Sequence, residues 1–494
     1  MPGLTILNRQ NYAQDLQVSI RGFGARAAFG IRGIRLLVDG IPATTPDGQG
    51  QGSSISLHST DRIEVLRGPL AQMYGNSAGG VIQAFTREAP AAPEFGAKYY
   101  AGSFGMRRSD WQFAGPVGKL GLVADYSTFE TNGFRENGQT ERKQLNSKLS
   151  FGNSDDTRVN LVFNRFDMPL AQDPAGLTAD QLAADPTQAG NNAVSARVRK
   201  ITSQNQLGST LTHAIDANNT LTARAYYGNR DNLQFQGNNT WVGLDRTYYG
   251  AGLQYNQQTR VAGTPVTWVA GYEFDQSSER RQGGAAPGGE KTPGSITRDE
   301  DNQAKSSDLF VQGTALVTDT VSMVAGLRHS TVRFVSEDHF LTDVGSDGSG
   351  NAVYRATNPV LGLTYHASES LNLYANYGKG FESPTLAEVA YRDSGVARPL
   401  AEFNQNLAAS SSQHFELGAK WMPSNRTRLD FTLFQIKSKD EIVVSTSNTG
   451  RTAFKNAPGT TRTGWEFAGS TQFGSCLSGS AARRVHPTVH HVSF

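Results

Sequence analysis

His414-Phe415-Glu416-Leu417-Gly418-Ala419-Lys420-Trp421-Met422-Pro423-Ser424-Asn425 is an alternating segment that runs into a turn. Phe415, Leu417, Ala419 and Trp421 fall on one face, opposite His414, Glu416 and Lys420. A period of two with one apolar face marks a strand. Leu371 to Phe381 repeats the pattern: Leu371, Leu373, Ala375, Tyr377 and Phe381 oppose Asn372, Tyr374 and Asn376. Leu221, Ala223, Ala225 and Tyr227 oppose Thr222, Arg224 and Tyr226. Leu429 to Ile436 follows the turn but slips phase at Leu433-Phe434.

Working outward, roughly sixteen such segments lie between Glu94 and Phe473, each weak alone, as barrel strands are. Some connections read as tight turns: Gly115-Pro116-Val117-Gly118, Asp216-Ala217-Asn218-Asn219 and Met422 to Asn425. Others are long and polar, the longest expected from about Gln276 to Ser306. Tight turns at one end and extended loops at the other are what an antiparallel outer-membrane barrel needs. A soluble β-sandwich or solenoid explains the alternation but not the sorted loops.

Composition agrees. Hydrophobic residues make up 37% and mean hydropathy is −0.44, low for several buried cores among 494 residues but suited to strands apolar on one face only. No apolar run approaches the roughly 18 residues of a spanning helix. One Cys excludes a disulfide framework, and a net charge of +2 argues against a nucleic-acid footprint. The isolated histidines have no i, i+4 or short-loop partner, so no metal site is expected, and those of the tail, His486, His490 and His491, read as accidental. Met1-Pro2-Gly3-Leu4 shows neither the basic nor the apolar region of an export signal, so a signal is expected to have been removed or cut away. After Gly474 the alternation stops. The stretch from Cys476 to Phe494, with Arg483-Arg484, His486, His490 and His491, reads as an aberrant tail (476–494).

Residues 1–92 have another texture. Leu16 to Ile20, Ile34 to Val38, Ile63 to Leu66 and Gly80 to Phe85 read as strands too short to cross a membrane, hence as a small mixed domain, with Ala89 to Pro93 as linker. Two enzyme-like matches fall here. Gly22 to Ala27 fits G-x-G-x-x-A, but Phe29-Gly30-Ile31-Arg32-Gly33 breaks the helix a dinucleotide site requires. Gly75-Asn76-Ser77-Ala78-Gly79 fits the nucleophile elbow of a serine hydrolase, yet a strand rather than a helix follows. Tight turns account better for both.

Four stretches, in order, carry a resemblance: Val18 to Gly24 (VSIRGFG), Val38 to Pro42 (VDGIP), Asp61 to Pro69 (DRIEVLRGP) and Tyr74 to Ile82 (YGNSAGGVI). Together they resemble the plug domain of TonB-dependent outer-membrane receptors. Tyr374 to Glu388, Phe415 to Lys420 and Gly464-Trp465-Glu466 look like the family's barrel strands. The resemblance implies a plug (1–92) inside a transmembrane antiparallel β-barrel (93–475) of about 22 strands, of which about sixteen are present. It implies a bacterial outer membrane, lipid around the wall, TonB as energising partner, no enzymatic activity and uptake of a scarce small ligand. The family's lock of plug arginines and barrel glutamates would fall on Arg21, Arg67, Glu382 and Glu416, the two carboxylates facing the lumen by parity. Ligand contacts would come from plug loops, here Arg26, Arg32, Arg35, Asp47, Gln49 and Gln51, whose charge favours an anionic ligand such as a ferric chelate or carboxylated cofactor. Gly40 to Gln51 looks like the branch that includes the pyrroloquinoline quinone receptor, with ferric dicitrate and siderophore receptors more distant.

The family's export signal and TonB-binding box are not found ahead of the plug motifs. With about six strands fewer than expected, the sheet should stay open and the chain alone should not form a sealed receptor, because unpaired backbone facing lipid costs several kcal/mol per group. The alternative is a non-transporting remnant that keeps some ligand binding; a serine hydrolase at Ser77 is a distant third.

Overall fold

Six short strands build the N-terminal unit. β1 (Leu4–Leu7) pairs antiparallel with β2 (Gln17–Ile20). β3 (Ile34–Val38), β4 (Ile41–Pro42), β5 (Thr60–Leu66) and β6 (Gly80–Thr86) form a second sheet in the order β4-β3-β6-β5. β3 and β6 run parallel and the other pairs antiparallel, so this sheet is mixed. Val18, Ile20, Ile31, Ile34 and Leu36 close the small core between the sheets. The computed structural model describes residues 1–494 apart from 10, 28–29, 155, 342–346, 394, 396–397, 449, 474–476, 485–487 and 490–494. Phe29, Cys476, His486, His490 and His491 therefore lie outside the described residues.

The wall follows as β7 (Glu94–Ala101), β8 (Arg107–Val117), β9 (Leu120–Thr131), β10 (Thr140–Ser154), β11 (Thr157–Gln172) and β12 (Arg199–Asp216). It continues through β13 (Asn219–Gln236), β14 (Thr240–Val261), β15 (Thr264–Ala285), β16 (Ile296–Thr318) and β17 (Val321–Asp338). β18 (Gly350–Ser368), β19 (Leu371–Glu382), β20 (Ser410–Ser424), β21 (Thr427–Asn448) and β22 (Arg451–Phe473) complete the sixteen. Each strand pairs antiparallel with its sequence neighbours. Leu253, Leu309, Leu327, Leu361, Leu373, Phe415, Leu417 and Leu433 stand exposed on the outer surface, the apolar band a lipid-facing wall requires. No helix among the described residues is long and apolar enough to cross a membrane.

Four expectations change. The sheet does not stay open: its strand order is a closed ring. The far edge of β22 is covered by β23 (Leu477–Arg484) and β24 (Thr488–Val489), successive pieces of one line that pair with Glu466–Phe473 and then Arg462–Thr463. A stretch without alternation can still fill that place, because ladder pairing uses backbone groups only. Second, Gln276 to Ser306 is not one long loop. β15 continues to Ala285 and β16 resumes at Ile296, still paired across Gly283–Arg298. Past the hydrocarbon a hairpin can continue into water, where neither face must be apolar and the period-two signal fades. The longest connections are instead 173–198, with the helix α1 (Ala179–Ala184), and 383–409, with the one-turn helix α2 (Leu386–Val389).

Third, Leu433-Phe434 is no phase slip. Phe431, Leu433 and Gln435 point out while Thr432, Phe434 and Ile436 are buried, because Phe434 and Ile436 pack on plug residues Phe23 and Ala78. Fourth, Phe381 does not share the lipid face. β18 pairs with β19 only as far as Val360–Gly378, after which β19 leaves its neighbour and carries Phe381 and Glu382 inward. There Phe381 joins Leu386, Val389, Phe403 and Leu407 of loop 383–409 in one apolar cluster. The expected turns shift slightly: the chain reverses at 118–119, 217–218 and 425–426, the same end as the two-residue connections 262–263, 319–320 and 369–370.

Candidate functional site

β2 ends in a two-residue turn, closed by Ile20 and Phe23 exchanging backbone hydrogen bonds at 3.0 and 2.9 Å. Arg21 and Gly22 occupy its centre with φ of 49° and 87°, a mirror-image turn that glycine adopts freely and arginine does not. The turn aims the Arg21 guanidinium at the wall. There it meets Glu416 of β20 at 2.7 Å and Glu466 of β22 at 2.9 and 3.1 Å, and lies over the Phe434 ring at 4.2 Å. Arg67, which follows β5, reaches the same Glu466 at 3.2 Å and donates to the Pro2 carbonyl. Arg21, Glu416 and Glu466 are all buried. Two cations thus share two carboxylates in a dry interface, where removing one partner costs about 3–5 kcal/mol.

Of the four residues expected together, the structure joins Arg21, Arg67 and Glu416, with Glu466 as the common partner. Glu466 lies inside the quoted Gly464-Trp465-Glu466 stretch, and its parity opposite Trp465 is the signal that could have found it. Glu382 sits elsewhere. It pairs with Arg26, whose Nε also donates to Glu388 at 2.8 Å; Arg32 reaches Glu388 at 3.1 Å. Glu388 also closes a capping box on Thr385, accepting from the Thr385 backbone at 2.8 Å, and is fully buried. Burial would raise its pKa, but Arg26 and Arg32 outweigh that and hold it near about 2. Burial likewise works against the charged Arg26, yet Glu382 and Glu388 raise its pKa above the usual arginine value.

The other expected ligand residues are also engaged. Asp47 accepts from the Leu386 backbone at 3.0 Å, Thr45 at 2.6 Å and Gln49 at 2.6 Å. Beside it, Asn76 exchanges hydrogen bonds with Ser383 at 2.8 Å. Arg35 enters a third cluster, 3.4 Å from Asp275 and 3.8 Å from Glu273. Arg328 approaches Glu273 and Asp308 at 2.5 and 3.1 Å, and Arg224 lies 3.1 Å from Glu273. Three cations face three carboxylates there. Gln49 and Gln51 line a cleft between plug and wall with Arg32, Gln204, Gln206, Arg230, Arg246 and Tyr248.

Close approach makes these contacts possible. A Cβ on Gly378 would stand 2.6 Å from the Pro69 carbonyl, and one on Gly380 would stand 2.5 Å from both Gln72 and Ser412. Ser77 is buried and followed by β6, without the helix of a nucleophile elbow. Gly22 to Ala27 opens no helix either. Among the described residues no group of His, Cys, Asp and Glu is placed to hold a metal ion.

Comparison with known proteins adds a frame to this geometry. The family model described as "TonB dependent receptor-like, beta-barrel" matches residues 94–484, and "TonB-dependent Receptor Plug Domain" matches residues 1–81. The ferric enterobactin receptor of Pseudomonas aeruginosa is 32% identical over 106 residues, which cover 18% of this chain and 13% of that protein. The hemin receptor of Yersinia enterocolitica is 22% identical over 448 residues, 86% of this chain but 57% of that protein. The chain thus spans little more than half the length of that receptor. The unliganded ferric citrate transporter FecA superposes with a TM-score of 0.78 at 19% identity, covering 98% of this chain and 74% of that one. The ferric yersiniabactin uptake receptor FyuA of Yersinia pestis gives 0.75 at 16%, covering 98% and 75%. At these identities the likeness is one of fold.

Proposed function

This chain belongs to the TonB-dependent receptor family, and from that premise we propose that it is a bacterial outer-membrane receptor that takes up a scarce ligand. The ligand would bind at the long-loop mouth and pass to the periplasm when TonB, driven by the inner-membrane proton gradient, works the plug loose. One observation carries the reading: the lumen is filled by a unit held to the wall largely through ion pairs. Arg21, Arg26, Arg32, Arg35 and Arg67 all reach wall or loop carboxylates. Such contacts can be broken and re-formed without exposing a large apolar surface to water.

Arg21, Arg67, Glu416 and Glu466 would be the lock, with Arg26, Arg32, Glu382 and Glu388 as a second one toward the mouth. The relatives' names concern ferric enterobactin and hemin, and a structural neighbour's concerns ferric citrate. They favour a metal chelate over a quinone cofactor.

The test is expression in a host stripped of its own iron-chelate receptors, followed by uptake of radio-iron supplied as a panel of chelates. Accumulation that stops on adding a proton uncoupler is expected for at least one chelate. Binding without accumulation would point instead to a non-transporting remnant; neither binding nor uptake would sink both.

A further inference from the structure

Lys305 of β16, Arg333 of β17 and Arg355 of β18 crowd together on the outer face of the wall. Lys305 and Arg333 stand directly opposite each other, and Arg355, the partner of Thr331, takes the next diagonal position. All three point outward, because the residues beside them in their strands, Ala304, Ser306, Val332, Phe334 and Tyr354, are buried on the lumen side. Like charges directly opposite across a ladder repel and destabilise the pair. Among the described residues, no carboxylate lies within ion-pair distance of any of the three. The nearest outward ones along β16 and β17 are Asp301 and Glu337, each four positions further on. Four positions are about 13 Å of strand. Asp301 is in any case held by Arg280 at 2.9 Å and His339 at 3.0 Å.

Other outward arginines are matched. Arg107 meets Glu130 at 3.4 Å, Arg165 meets Asp167 at 2.7 Å and Arg280 meets Asp299 at 2.7 Å. Height decides what could answer the three that are not. Counted from the turns 319–320 and 369–370, Lys305 and Arg355 lie 14 positions up their strands and Arg333 lies 13. A membrane strand crosses the hydrocarbon in about 9–11 residues, so the cations stand just beyond it, toward the long loops. Below them Leu309, Leu327 and Leu361 are exposed in the apolar band. The outward neighbours Gln276, Gln303, Ser307 and Thr331 add amides and hydroxyls and no acid.

We infer that this patch binds the headgroup of a bisphosphorylated lipid of the outer leaflet, whose acyl chains lie on the leucine face below. Arginine pairs with phosphate through two parallel hydrogen bonds, and lysine adds a point charge. A phosphate monoester carries about −1.5 to −2, so two of them answer three cations where a singly charged phosphodiester does not. Bound there, the lipid relieves the repulsion between Lys305 and Arg333. The inference rests on the outer-membrane part of the receptor reading and not on uptake.

The experiment is native mass spectrometry of the purified full chain in neutral detergent, titrated with diphosphoryl lipid A, monophosphoryl lipid A and phosphatidylcholine. The diphosphoryl form should bind tightest and phosphatidylcholine weakest. One basic residue beside an anionic membrane surface is worth about fivefold in binding. The triple variant K305Q/R333Q/R355Q should therefore bind diphosphoryl lipid A at least about thirtyfold more weakly. Arg107→Gln, which removes a matched charge, should leave that binding unchanged. Without lipid the triple variant should melt no lower than the unaltered chain, since it loses only repulsion. Equal binding by the triple variant, or no preference for the diphosphoryl form, would overturn the inference. So would a lowered melting temperature with intact binding, which would make the cations structural. Displacement of the lipid by millimolar inorganic phosphate would overturn the lipid assignment and leave a free-anion site. Failed uptake with lipid binding intact would count against the receptor reading alone.

Discussion

Arg21 holds its place against a local cost. A non-glycine residue at positive φ costs about 1–3 kcal/mol and persists only where its surroundings over-determine it. Here the Arg21 backbone N–H donates to the Gly3 carbonyl at 2.8 Å while the side chain holds two buried carboxylates. Replacing both Glu416 and Glu466 by Gln leaves that guanidinium uncompensated. Hydrogen exchange over residues 17–24 should speed up by an amount matching about 3–5 kcal/mol. Unchanged protection would mean that the pairs hold nothing. Tyr391, in loop 383–409, offers a second readout. Burial raises its pKa, but Arg298 and Arg281 outweigh that and bring it down to about 8. Its ring lies under Arg298 at 4.5 Å, and its hydroxyl accepts from Arg281 at 3.1 Å. One tyrosine should therefore ionise near pH 8 by absorbance, and the step should vanish in Tyr391→Phe. Between about pH 8 and 10 the folded state binds fewer protons than the unfolded, so docking of the loop strengthens as pH rises through that window.

At the level of elements, the end of β19 decides how plug and mouth communicate. Gly378 and Gly380 let the 3-10 turn Pro69–Tyr74 press against the strand where it parts from β18. Gly378→Ala should force that turn away and destabilise the plug by about 1–3 kcal/mol, an overpacking cost. Denaturant titration would detect it, and a shift below about 0.5 kcal/mol would contradict the close packing. The next element, α2, is clamped by Glu388. Its pKa is held down to about 2 from an ordinary 4.5, so its contribution is complete above pH 4.5 and is lost as pH falls through 2. Pepsin, active in that window, should cut within 383–409 more readily as pH falls. In Glu388→Gln the susceptibility should be already high and show little dependence on pH.

For the whole molecule, closure depends on the last stretch of chain. A ring has no free edge, and lipid offers no partner to an unpaired backbone group. Ending the chain at Phe473 removes the partner of Glu466–Phe473. That shortened chain should lose the compact, heat-modifiable form on a detergent gel; keeping it would show that β22 needs no cover.

The wall was legible because membrane strands alternate under one constraint, lipid outside and polar lumen inside, and a period of two survives in sequence. Where that constraint ended, so did legibility: β15 and β16 beyond the membrane read as loop, and β23 read as tail. Parity also assigned Glu382 and Glu416 to the lumen, since the side of a strand is a local property. Which cation each would meet was not local. Arg26 and Glu382 lie 356 positions apart and Arg21 and Glu466 lie 445 apart, so only the packing of plug in wall could choose the pairs. Phe434 and Phe381 make the same point for apolar residues, since an inward phenylalanine needs a distant segment to bury against, the plug for Phe434 and loop 383–409 for Phe381. Fold class and facing were thus written in the order of residues. Charge matching and the inward turn of β19 were decided by tertiary structure, because they depend on distances between segments that no local pattern encodes.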